Sequence, residues 1–140
     1  MRNFKFIIGI LLLGFLGAGS MEDDDSAKYA KLDYSSPAYR VYYKNLVNEF
    51  DNNSIAAENK YEGKLIHVQG PVGSVDKDIL DDPYIAIRGE YEFSSVQCMI
   101  REESLAAATS LSKGQQVVVG GVVGDTTLGV ILRGCRLISR

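Results

Sequence analysis

Cys98 and Cys135 are the only cysteines in this 140-residue chain, and His67 is its only histidine. Two thiols 37 positions apart fit neither a Cys-x-x-Cys redox motif nor the ligand spacing of a zinc site, and one histidine supplies too few further donors. Serines, His67 and several aspartates are present in numbers sufficient for a hydrolytic triad, but no nucleophile elbow or comparable signature accompanies them. Alternating with Ile66 and Val68, His67 is expected to be an exposed strand histidine. The carboxylates Asp76, Asp78, Asp81 and Asp82 suggest a calcium loop until they are counted. With Asp76 first, the sixth position is Asp81 where glycine is needed and the twelfth is Ile87 where glutamate is needed. A solvated turn is the simpler expectation. No catalytic residue, metal or cofactor is therefore expected.

Aromatic and guanidinium groups remain as candidates for binding. Tyr84, Arg88, Tyr91, Phe93 and Arg101 fall on or beside two neighbouring strands, where bases could stack on the rings. Arg133, Arg136 and Arg140 make the C-terminus locally basic, a pattern more often solvated than a nucleic-acid footprint.

The elements that must position these groups start after a segment set apart by composition. Arg2 and Lys5 precede an apolar run from Phe6 to Ala18, followed by small residues to Ser20 and by Glu22-Asp23-Asp24-Asp25. That order is a secretory signal, residues 1–20, and its apolar run of thirteen residues is shorter than the ~20 that comfortably span a bilayer. Ala18 and Ser20, or Gly17 and Gly19, would serve as the small residues at a cleavage site. Cleaved, the chain is periplasmic or extracellular; uncleaved, residues 6–18 anchor it to the cytoplasmic membrane with the domain outside. An oxidising compartment then makes a Cys98–Cys135 disulfide the expected state of the two thiols.

Without residues 1–20 the chain keeps 13 basic against 18 acidic residues, a net charge of −5. A protein that lives on phosphate backbones normally concentrates the opposite sign, so nucleic acid is not the expected partner. A protein or a cell-envelope component is.

Residues 21–35 are acidic and polar and read as a flexible tether. The domain, 36–140, is expected to open with a helical layer over residues 37–61. Ser36-Pro37 reads as a helix start, and Tyr39, Tyr42, Tyr43, Leu46, Val47 and Phe50 form one stripe. That stripe is expected to pack on the domain. Asp51 to Ser54 interrupts it with capping residues, and a second short helix runs from Ile55 to Tyr61. From Lys64 the period changes to two, with strands expected at 64–75, 84–88, 94–100, 115–123 and 130–137 and a helix at 102–111.

Two strands share the pattern Val-x-Gly-x-Val, at Val68-x-Gly70-x-Val72 and Val118-x-Gly120-x-Val122, as curved barrel strands need; a duplication is not implied. The order β-β-β-α-β-β with a long bent first strand is that of the five-stranded Greek-key OB-fold, a mainly β barrel with added helices.

Asn53, Ala56-Ala57, Lys60-Tyr61-x-Gly63-Lys64, Asp76-Lys77-Asp78, Val96-Gln97-Cys98, Leu111-x-Lys113-Gly114, Val117-x-Val119-x-Gly121 and Cys135, with the first valine-glycine strand, resemble the tRNA-anti-like family of bacterial OB-fold proteins over roughly residues 39–138. The resemblance implies a small exported or lipid-anchored protein whose fold is similar to anticodon-binding domains, and it brings no catalytic residue set. The cysteine that lipid attachment needs after the signal is absent here. The function expected is that of an exported binding or interaction module, with single-stranded nucleic acid or oligosaccharide binding as the alternative.

Overall fold

The computed structural model describes residues 27–124, 126 and 129–140. Asp33–Arg140 form one compact unit, and the residues before it, of which 27–32 are described, form a separate one. The expected signal and most of the expected tether lie outside the described residues.

Among its described residues the domain has nine elements: β1 (Tyr39–Tyr42), α1 (Tyr43–Asn52), α2 (Ser54–Tyr61), β2 (Leu65–Lys77), β3 (Pro83–Ile87), β4 (Val96–Ile100), α3 (Glu102–Ala108), β5 (Gln116–Val123) and β6 (Val130–Ser139). The strands hydrogen-bond in the order β1-β2-β3-β4-β6-β5, and β5 returns to pair with β2, so β2 to β6 close a five-stranded barrel. This is the OB-fold, mainly β with added helices. β2 reaches both neighbours because it is long: Leu65–Pro71 pair with β5, and Val72–Lys77 pair with β3 beyond a register shift at Val72/Ser74.

Alternation sets the core. Ile66, Val68 and Val72 of β2, Ile85 and Ile87 of β3, Val96 and Cys98 of β4, Val117 and Val119 of β5, and Leu132 and Cys135 of β6 are buried together. Tyr43 and Leu46 of α1, Ala57 and Tyr61 of α2 and Ala108 of α3 join the same cluster. The cysteine pair forms a disulfide between β4 and β6, fully buried, with Cα atoms 5.3 Å apart.

The two valine-glycine strands do opposite jobs, which argues against a repeat. Gly70 faces inward, where a Cβ would lie 2.5 Å from Ile87 and 2.7 Å from the ring of Tyr43, so its absence lets α1 sit down on the barrel. Gly120 faces outward and leaves room for His67 and Ile138, each 3.0 Å from where its Cβ would be.

Residues 39–42 differ from expectation, forming a strand where the aromatic stripe predicts a helix, and Ser36-Pro37 caps nothing. Tyr39 and Val41 point to the core while Arg40 and Tyr42 point out, a period-two pattern that the same residues also satisfy. The half of β2 that pairs with β5 has its other edge free, and β1 fills that edge in parallel, from Tyr39 opposite Ile66 to Tyr42 opposite Gln69. Pairing satisfies backbone groups that one helical turn would have left on an open sheet edge. The helix then begins at Tyr43, and α2 is capped by Asn53, whose side chain accepts from the Ala56 N–H at 3.1 Å.

His67 also differs from expectation: it is 8% exposed. The segment around Tyr34 crosses over it, and its Nε2–H donates to the Tyr34 carbonyl at 2.6 Å. A carbonyl only accepts, so the hydrogen sits on Nε2. Tyr34 is held further by its hydroxyl, which donates to the Gly134 carbonyl, and by Arg136, 4.8 Å above its ring. Tyr34 thus belongs to the compact unit Asp33–Arg140.

Candidate functional site

The β3–β4 connection, residues 88–95, carries three of the five predicted binding residues and is anchored to α1 by one carboxylate. Glu92 Oε2 accepts from the Gly89 N–H at 2.8 Å, and Lys44 Nζ approaches Oε1 at 3.4 Å. The Gly89 N–H, the Tyr43 hydroxyl and Lys44 hold the Glu92 carboxyl below the usual carboxylate range. Burial, reinforced by Glu92, pushes the Tyr43 phenol up to about 12. The pair therefore stays as neutral phenol and charged carboxylate across the working pH range.

With the loop clamped in this way, Phe93 projects with its whole side chain in solvent, 103% exposed, and Tyr91 nearby is 90% exposed. Beneath Phe93 lies a cleft of about 440 Å³. One wall is the outer side of α1 with Val47, Phe50 and Asp51; the other is the sheet, with Gln97 of β4 and Ile131 of β6. Ser54 and Thr126 also line it, and the Thr126 hydroxyl donates to Glu58 Oε1 at 2.7 Å. A second depression of about 450 Å³ continues the cleft along α1, sharing Val47, Asp51, Phe93 and Ser94 with it.

Phe50 is held in place from below. Its ring stacks on Tyr61 at 6.1 Å between centroids, and Tyr61 meets Tyr39 edge-on at 5.1 Å. Tyr61 donates to Glu49, which also accepts from Lys60 at 2.8 Å. Burial works to raise the Glu49 carboxyl, but Lys60 and Tyr61 outweigh it and hold it low.

The other predicted residues are differently employed. Tyr84 pairs across to Met99, at the opposite end of β3 and β4 from the loop. Arg101 pairs with Glu103 at 2.9 Å, its side chain 14% exposed. Arg88 folds back to donate to the Glu92 carbonyl at 3.1 Å. Of the five, Phe93 alone lines the two depressions of the cleft. The aspartates form a turn: the Asp78 carboxylate accepts from the N–H groups of Leu80 and Asp82 at 2.9 and 3.0 Å. Among the described residues no group of three or more His, Cys, Asp and Glu side chains could hold a metal ion.

The sequence pattern of the tRNA_anti-like family matches residues 1–136. The chain belongs to that family. The match starts at the first residue, so the N-terminal apolar segment falls within it, beyond the span 39–138 recognised from motifs. No curated protein matches the chain in sequence. Among solved structures, this tRNA_anti-like chain is similar to a candidate nucleic acid-binding lipoprotein from Klebsiella pneumoniae, with TM-score 0.55 and 17% identity over 71% of this chain and 91% of that one. A weaker likeness joins it to asparaginyl-tRNA synthetase from Pyrococcus horikoshii, with TM-score 0.42 and 18% identity over 57% of this chain. That alignment spans 20% of the synthetase. At these identities the likeness to the lipoprotein establishes the shared fold. Among the described residues of the tRNA_anti-like chain, no helix is long and apolar enough to cross a membrane.

Asp51, Ser54, Gln97 and Ile131 escape sequence reasoning as cleft residues. Phe50 is visible there only as part of an aromatic stripe, and like Val47 it is partly buried against the core, with its remaining surface lining the cleft.

Proposed function

We propose that this protein is an exported, non-catalytic binding module of the cell envelope, and that its ligand seat is the cleft between α1 and the β3–β4 loop. The observation that carries the binding role is Phe93: a clamped loop holds a bare aromatic ring over a cleft of about 440 Å³. That volume lies within the ~300–1,000 Å³ typical of small-ligand sites. Export is supported by the charge and apolar order of residues 1–20 and by the buried Cys98–Cys135 disulfide, which needs an oxidising compartment to persist. The similar Klebsiella protein is described as a lipoprotein, in keeping with an envelope address.

A nucleic-acid reading draws on the same protein's description. Against it here, Arg88 and Arg101 are already engaged, and the charge of residues 21–140 is negative. Export is tested by fractionating cells that produce the full chain and identifying its N-terminal residue; recovery in the cytoplasm with Met1 intact contradicts it. The binding role is tested by passing envelope extract over immobilised wild-type protein and the Phe93→Ala variant. The wild type is expected to retain a component that the variant loses, and equal retention argues against the cleft.

A further inference from the structure

The chemistry of the cleft says what kind of ligand it can take. Resting on the binding role just proposed, we infer that the ligand is a glycan chain that carries no negative charge.

Three observations converge on sugar. The first is the pairing of flat apolar and polar groups. A pyranose ring presents a face of C–H bonds and a rim of hydroxyls, so its site needs an aromatic ring for the face and side chains that both donate and accept for the rim. Phe93 overhangs the cleft and Phe50 forms part of its wall, while Gln97, Ser54 and Ser95 offer donors and acceptors and Asp51 a charged acceptor. The wall is built on α1 and β4, and the Glu92 clamp holds the loop that carries the overhanging ring, so the backbone of the site is in place before a ligand arrives.

The second is charge. Among the described residues, the lining of the first depression contains no lysine or arginine and one carboxylate, Asp51, which enters none of the ion pairs found there. In the second depression Lys44 is offset by Glu92 at 3.4 Å. A phosphate-bearing chain would meet repulsion where it needs counterions, whereas a neutral chain loses nothing.

The third is extent. The two depressions share Phe93 and run on along α1, a groove that fits successive rings of a linear polymer better than one compact molecule. A peptide recognised by strand addition would need a free sheet edge, and β4, which floors the groove, is paired with β3 on one side and β6 on the other.

The test uses the full chain, labelled with ¹⁵N, and two defined probes: the linear tetramer of N-acetylglucosamine and an oligothymidylate. The tetramer is expected to shift the amide signals of residues 47–51 and 93–97. Its affinity should stay level as salt rises from about 50 to about 200 mM, and should fall about tenfold in Phe93→Ala. Because that ring is fully exposed, the variant keeps the melting temperature of the wild type, so its loss reads as lost binding. A tetramer that leaves these signals unmoved overturns the inference, as does binding that Phe93→Ala leaves intact or an oligothymidylate that binds there with steep salt dependence. If the tetramer fails while envelope extract still shifts the same signals, the glycan assignment falls and the binding role stands; if neither shifts them, both fall.

Discussion

Removing the disulfide is the sharpest probe of how this small barrel stays folded. Cys98 and Cys135 sit on β4 and β6, which pair in parallel, so the bridge joins neighbouring strands that the chain connects only through α3 and β5. Its ring spans a sequence separation of 37. In the chain-entropy picture, opening a ring of that size restores about 4 kcal/mol of freedom to the unfolded chain. Both cysteines are fully buried among Val96, Leu132 and their neighbours, and alanine keeps most of the packing, so the Cys98→Ala/Cys135→Ala double variant chiefly reports the cross-link. For a domain stabilised by roughly 5–15 kcal/mol, that is a large fraction. Urea denaturation followed by circular dichroism suits a chain without tryptophan. The midpoint should fall by ~2 M or more for a urea slope of 1–2 kcal/mol per molar, and reductant added to the wild type should reproduce most of the shift. A loss below about 1 kcal/mol would refute the reasoning, since it would mean that the barrel is complete without its staple.

Packing predicts that Gly70→Ala, which drives a methyl group into Ile87 and Tyr43, destabilises the domain by about 1–3 kcal/mol, visible as a lower melting temperature. Tyr34→Ala removes a buried ring together with its Gly134 hydrogen bond and its Arg136 contact and costs about 3 kcal/mol, whereas Tyr34→Phe keeps the ring under Arg136, loses one hydrogen bond and costs about 1 kcal/mol; paired denaturation curves check the order. Stability should also fall away at both ends of the pH scale. Glu49 and Glu92 titrate lower when folded, so their contribution is present above the usual carboxylate value of 4.5 and is lost as pH drops through their folded values. Tyr43 titrates higher when folded, so its contribution is present below pH 10 and is lost as pH rises towards about 12. Glu92→Gln should flatten the acid side of a melting-temperature profile and Tyr43→Phe the alkaline side.

The barrel is legible in the sequence because its strands alternate against one core, and each strand's inward residues carry that alternation locally. β1 is not, because Tyr39-Arg40-Val41-Tyr42 satisfies a helical stripe and a strand equally well. What decides between them is the open edge of β2, more than twenty residues further on. The burial of His67 is hidden for the same reason: alternation correctly turns it away from the core, but the covering Tyr34 lies 33 positions earlier in a stretch that composition reads as tether. The disulfide is legible because two cysteines allow one pairing. The cleft is the least legible feature. Phe50 and Asp51 come from α1, Phe93 from a loop and Gln97 from β4, and nothing in their types or spacing brings them together before the Glu92 clamp sets the loop on the helix. Tyr84 and Arg101, chosen from strand position alone, fall at the other end of the same strands.

The account turns on Phe93 being where the protein meets its ligand in the envelope. The most direct measurement places a photo-activated benzoylphenylalanine at position 93 of the full chain in living cells, with the same group at exposed Lys113 as control. The account predicts an envelope adduct formed on illumination at position 93 and absent at 113. An equal adduct at both positions, or none at 93, would contradict it.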